Sequence, residues 1–270
     1  MSIQSISESA LLLRQDADGI ATLTLNHAEK INPLSEEMLA ALLVQLDALS
    51  TDDSIRAVIL RGAGKAFCAG HDLRQMTAAR KSPDGGAAYF RDLFATCTRV
   101  MTAIRDLPQP VIAQVHGIAT AAGCQLVATC DLAVAAQGTR FGVNGVNIGL
   151  FCSTPMVALS RNIPRKQAFE MLTTGSFISA DRALELGLVN RVVPQDMLGA
   201  HADALARSVA AKLPTAMRYG KGAFYRQLEM GIDEAYAFTG EVMALNMAEP
   251  DTEEGIAAFL EKRDPSWKTP

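Results

Sequence analysis

Between Pro110 and Gly149 the chain reads PVIAQVHGIATAAGCQLVATCDLAVAAQGTRFGVNGVNIG, and this stretch restricts the possible folds more than any other. An apolar run, Val111 to Val115, passes through His116-Gly117 into a block of very small residues: Ala119, Thr120, Ala121, Ala122 and Gly123. That block opens a predicted buried helix continuing through Gln125-Leu126-Val127-Ala128, and a second apolar run, Leu132 to Ala136, follows Asp131. Strand, tight turn, helix and strand in this order predict an α/β architecture. Small side chains let a ligand approach the backbone, and the first turn of a helix has free N–H groups at the positive end of its dipole. The stretch can therefore hold an oxygen that gains negative charge. A tightly packed core helix without any ligand would read the same way.

The remaining chain supports one large domain, or one plus an appendage: 270 residues at 49% hydrophobic content can bury a large core. A net charge of −4 gives no electrostatic case for nucleic acid or an anionic membrane. No apolar run approaches the roughly 20 residues of a membrane span, and MSIQSISESALLLRQDADG lacks the basic flank of a signal peptide. The five cysteines (68, 97, 124, 130, 152) form no C-x-x-C pair and predict buried thiols in a reducing cytoplasm.

In chain order, the runs around Asp18-Gly19 predict a β-hairpin. Ser35 predicts a helix N-cap, and apolar residues at 38, 39, 42, 43, 46 and 49 repeat with helical spacing behind it. Ala57 to Leu60 is a strand expected to be covered on both faces. It empties into the loop Arg61 to Leu73, whose glycines do not match a P-loop but can present N–H groups at a strand end. Thr77 to Ala87 suggests a mobile surface segment, followed by a helix to about Asp106. Helices are predicted at 165–173, 180–186, 195–213, 215–230, 233–247 and 252–262, so strand content concentrates before 195. The four histidines form no metal-binding pair, and no G-x-S-x-G elbow is present.

AFCAGHDL (66–73), ATAAGCQL (119–126), CDLAVAA (130–136), FGVNGVNIGL (141–150), ISADRALELGLVNRVV (178–193) and EGIAAFLEKR (254–263) together resemble the crotonase, or enoyl-CoA hydratase/isomerase, family. The resemblance covers nearly the whole chain, in order. It implies a spiral core of ββα units (1–194), a helical C-terminal region (195–270), and a homotrimer or homohexamer. It also implies CoA-thioester substrates without a metal or redox cofactor, coenzyme A being part of the substrate. Carried over, the family's two oxyanion-hole amides fall on His71 and Ala122, followed by Gly123. His71, Asp72, Leu73 and Arg74 would line the acyl-pantetheine path, and Lys30 would lie near the CoA phosphates.

The sequence departs from the hydratase pattern at both glutamates: Gln125 stands where one belongs, and Gly145 where the other does. A carboxylate pair contributes about 10²–10⁴-fold per group in activating water and moving a proton; Gln125 can orient a water but not take its proton. The run 149–155, with Phe151 and Cys152, adds bulk beside the expected pocket. His71 takes a position that is usually small in hydratases and is histidine in the methylmalonyl-CoA decarboxylase branch; it can offer its ring or only its amide. Cys152 is either a nucleophile or a buried thiol. Three functions stay open: a hydratase/isomerase-type enzyme, a CoA-thioester decarboxylase or thioesterase, and a non-catalytic acyl-CoA-binding homologue.

Overall fold

The computed structural model describes residues 10–267. Its strands are β1 (Leu12–Ala17), β2 (Ile20–Leu25), β3 (Ala57–Gly62), β4 (Val111–Val115), β5 (Ile118–Thr120), β6 (Leu132–Ala136), β7 (Arg140–Gly142), β8 (Ile178–Ser179) and β9 (Arg191–Val193). Its α-helices are α1 (Glu36–Ser50), α2 (Leu73–Ala79), α3 (Ala87–Asp106), α4 (Ala122–Thr129), α5 (Pro155–Asn162), α6 (Arg165–Thr174), α7 (Ala180–Leu186), α8 (Leu198–Ala210), α9 (Pro214–Gln227), α10 (Ile232–Met247) and α11 (Pro250–Glu261).

Asp18 and Gly19, with φ of 52° and 75°, make the two-residue turn between antiparallel β1 and β2; two positive φ angles suit the twist of a hairpin. From β2 onward the main sheet is parallel, in the order β1-β2-β3-β4-β6-β9. A parallel strand needs cover on both faces, and the alternation along β3 supplies it. Val58 and Leu60 point into the larger core with Leu39, Leu42 and Leu46 of α1, whereas Ala57 and Ile59 face the other side. There, Leu198, Ala206 and Ala210 of α8 pack on Ile20, Ile112 and Val134. Each such aliphatic side chain contributes about 1.5–3 kcal/mol on full burial. All nine described strands precede Pro194, and α8, beyond it, completes the cover of the sheet.

α9 is tied to the same sheet by a buried polar node. Lys221 Nζ donates to Asp131 Oδ2 at 2.7 Å and to the carbonyls of Ile104 and Gln109, each at 3.0 Å. Tyr225 OH donates to Asp131 Oδ1 at 2.8 Å, and the N–H of Val111, which opens β4, donates to Asp131 Oδ2 at 2.6 Å. Every donor on Lys221 therefore has an acceptor, as a buried ammonium requires.

One local expectation is corrected. The small-residue block does not open a helix at Ala119. Residues 118–120 form β5, parallel to β7 in a second sheet of three strands, and α4 begins at Ala122. The Thr120 N–H donates to Cys68 O at 3.1 Å and the Ala121 N–H to Gly142 O at 2.9 Å, so both amides are spent on other chain segments. Thr77 to Ala87 lies at the surface as expected, exposed over most of its length, and its first residues belong to α2, which runs to Ala79. Asp84 then accepts from the N–H groups of Gly86 (3.0 Å) and Ala88 (2.8 Å) where α3 begins, which holds its carboxyl down at about 2. Residues 155–162, for which the sequence analysis gives no assignment, form α5, with Pro155 in its first turn where a missing N–H is harmless.

Candidate active site

The site grows from the loop after β3. Its floor is fixed by Asn32, a wholly buried residue whose Nδ2 donates to Ala63 O and Ala66 O at 2.9 Å and Phe67 O at 3.1 Å. Asn32 Oδ1 accepts from the His27 N–H at 2.9 Å, so one amide side chain clamps the 27–32 turn to the 63–67 loop. The sequence reading passed over it; the signal was the Asn32-Pro33 pair, a turn dipeptide whose first residue here has φ of 50°.

Beyond this clamp the loop lies directly on the start of α4. Parallel bridges join Cys68 to Ala119 and Leu34 to His71. A Cβ built at Gly123 would meet Cys68 O at 2.3 Å, and one at Gly70 would lie 3.2 Å from Ala122 N. Only glycine permits that approach, which sets the peptide of His71 beside the first N–H of α4. Among the described residues no protein acceptor takes the N–H of His71 or of Ala122. Ala121 holds the turn with φ 50° and ψ −121°, a backbone conformation that costs an alanine about 1–3 kcal/mol.

The His71 ring is mostly buried, edge-on to Phe94 with ring centres 5.6 Å apart. Nδ1 lies 3.3 Å from Leu34 O, which can only accept, so Nδ1 carries the proton and Nε2 bears a lone pair. Burial depresses the imidazole pKa, against a smaller opposing contribution from the Leu34 carbonyl. His71 Nε2 and Gln125 Oε1 are buried without a hydrogen-bond partner.

The other expected site residues fall into two groups. Phe151 and Cys152 belong to the segment that turns back over Gly145: Leu150 N–H donates to Gly145 O at 3.0 Å. A Cβ at Gly145 would meet Leu150 O at 2.3 Å and Cys152 Sγ at 2.9 Å. Cys152 is 6% exposed and burial pushes its thiol up, which opposes thiolate formation. Phe151 is half-exposed. Asp72 is engaged as the N-cap of α2, accepting from the N–H groups of Arg74 (2.8 Å) and Gln75 (3.3 Å), while Leu73 and Arg74 are exposed along a shallow groove shared with Thr77, Ala78 and Lys81. Lys30 ends the short 28–30 turn and is exposed; Glu37 is held below its ordinary pKa first by its backbone hydrogen bond and then by those with Ser35 and Gln75, to which the charge of Lys30 adds the least. Among the described residues no cluster of His, Cys, Asp or Glu side chains could hold a metal ion, and no helix is long and apolar enough to cross a membrane.

A parallel-sheet core with a loop and a helix start meeting backbone to backbone defines a crotonase-type α/β fold, and comparison bears this out. The enoyl-CoA hydratase/isomerase family model matches residues 15–270, and the chain belongs to that family. Its fold is similar to the crystal structure of enoyl-CoA hydratase from Mycobacterium smegmatis: TM-score 0.92, 57% identity, covering 96% of this chain and 99% of that one. The crystal structure of human enoyl-CoA hydratase domain-containing protein 3 gives TM-score 0.91 at 43% identity, covering 95% and 100%. In sequence, the chain is 42% identical over 262 residues to enoyl-CoA hydratase domain-containing protein 3, mitochondrial, of Xenopus laevis, covering 97% of this chain and 87% of that protein. These names correct the cytoplasmic expectation, since relatives from Xenopus laevis, Rattus norvegicus and Homo sapiens are all called mitochondrial. Buried thiols argue only against an oxidising compartment and do not distinguish one reducing compartment from another.

Proposed function

We propose that this protein acts on acyl-CoA thioesters, holding the thioester oxygen between the backbone N–H groups of His71 and Ala122 while negative charge develops on it. The observation that carries the reading is the juxtaposition of two amides without protein acceptors, forced by the glycine contacts at Gly70 and Gly123. One such donor, aimed at a developing oxyanion, is worth about 3–4 kcal/mol of barrier. Hydration by a pair of glutamates is not part of the proposal, because Gln125 and Gly145 occupy those places. Coenzyme A is assigned to the substrate and not to a resident cofactor. Decarboxylation or cleavage of a CoA thioester is the second reading, favoured by the same substitutions: both reactions need the oxyanion contact without two carboxylates.

A panel of enoyl-, malonyl- and methylmalonyl-CoA substrates distinguishes these reactions. Ala122→Pro removes one N–H at the first helical position, where proline is best tolerated. In a variant shown to be folded by its thermal melt, turnover should fall about 10²–10³-fold. Unchanged turnover and acyl-CoA binding in that variant would rule the amide pair out.

The proposal extends to assembly. Apolar side chains stand out from the C-terminal helices, with Phe259 82%, Leu260 74%, Tyr236 73% and Met243 71% exposed. Large apolar side chains left exposed mark interaction faces, and a homotrimer or a pair of trimers would cover them. Light scattering at micromolar concentration should return three or six times the mass of one chain; a monomer contradicts this.

A further inference from the structure

The turn into α4 is strained at a residue that cannot brace itself. Ala121 has φ of 50° and ψ of −121°. Asn32, which also has a positive φ, bonds its neighbours through its own side-chain amide. An alanine has no polar side chain with which to do so. Such a conformation persists only where the surrounding structure over-determines it.

Three segments supply that restraint. The Thr120 N–H donates to Cys68 O at 3.1 Å, in the loop after β3, and the Ala121 N–H donates to Gly142 O at 2.9 Å, at the end of β7. The third restraint comes from a side chain: Thr120 Oγ1 donates to Asn144 Oδ1 at 2.5 Å. Among the described residues it is the one side-chain hydrogen bond made by residues 120–122. Asn144 opens the short helical turn Asn144–Ile148, and that turn is itself supported from behind. Asn147 packs on Gly175 at the end of α6, where an added Cβ would meet Asn147 Oδ1 at 2.5 Å.

Thr120 and Asn144 are only half-buried, so neither is needed to fill the core. Valine would occupy the same space as Thr120 and suits a strand as well. What the hydroxyl adds is direction, because a short hydrogen bond fixes the orientation of both partners. The residue it steadies adjoins Ala121, and the next N–H along the chain is that of Ala122.

We infer that Thr120 and Asn144 are positioning residues: their hydrogen bond holds Ala121 in its strained conformation and so keeps the Ala122 N–H aimed at the thioester oxygen. The inference rests on the acyl-CoA reading above and adds to it the pair that sets the direction of one amide.

The test compares butyryl-CoA with S-butyl-CoA, the thioether that has CH2 in place of the carbonyl, by calorimetric titration. The ratio of their affinities reports the contact to the carbonyl oxygen and nothing else in the ligand. Wild type should bind the thioester about tenfold more tightly, as for hydrogen bonds to one buried oxygen. In Thr120→Val and in Asn144→Ala the ratio should fall towards one, while thioether binding changes by less than about twofold. Thr120→Ser, which keeps the hydroxyl, should retain the wild-type ratio. A merely structural bond would lower the thermal melt of the variants and leave the ratio alone, and that result overturns the inference while the acyl-CoA reading stands. A ratio lost equally in Thr120→Ser also overturns it. Equal wild-type affinities for thioester and thioether would sink the amide contact, and failure of both to bind would sink the acyl-CoA reading; the inference falls with either. Should Thr120→Val not fold, Asn144→Ala decides. If neither folds, the bond is structural and the inference is wrong.

Discussion

His71 offers two groups of different character, a backbone N–H beside Ala122 and a neutral ring turned towards Phe94. The ring has a consequence for stability. Its folded pKa lies below the ordinary 6.5 because burial disfavours the charged form. As pH falls through about 6.5, the unfolded chain takes up a proton that the native ring refuses, so native stability drops with acidification. We expect urea midpoints measured at pH 7.5 and 5.5 to separate more in wild type than in His71→Leu. Equal separations would show that the ring is not held neutral by burial. Little of this was readable from residues 66–73 as a string. The motif located the loop, but the direction of the ring depends on Leu34, 37 residues earlier, and the support of the loop depends on Asn32.

At the scale of elements, legibility followed repeat length. α1 and α3 present burial at helical spacing over 15 and 20 residues, so local pattern sufficed. β5 and β7 are three residues each and exist because they pair with one another; no local periodicity announces so short a strand. The same holds for the segment 150–152, whose fold over Gly145 is a contact between loops. That contact changes what restoring an acid would do. Gly145→Glu does not simply add a carboxylate, because its Cβ would sit 2.3 Å from Leu150 O and 2.9 Å from Cys152 Sγ. Backbone must move, and overpacking of this kind costs about 1–3 kcal/mol. A lower urea midpoint is expected for Gly145→Glu, without a gain in crotonyl-CoA hydration. A stable variant that hydrates faster would show that the loop yields freely.

For the whole molecule, the node at Asp131 joins the chain's last third to its sheet. Lys221 and Asp131 are 7% and 14% exposed, so removing one partner strands a buried charge at a cost of about 3–5 kcal/mol. The contacts of the lysine span 90 to 117 residues of chain. Closing spans of that length is entropically expensive and is recovered only after the sheet stands. The node is therefore expected to form late, on the native side of the folding barrier. Its loss should be felt almost wholly as faster unfolding. In stopped-flow denaturant experiments, Lys221→Met should unfold at least about 10²-fold faster, with refolding changed by less than about threefold. A slowed refolding limb would place the node early instead. If it is late, this ion pair governs the lifetime of the finished protein against proteolysis and heat, and has little to do with how quickly each new chain becomes one.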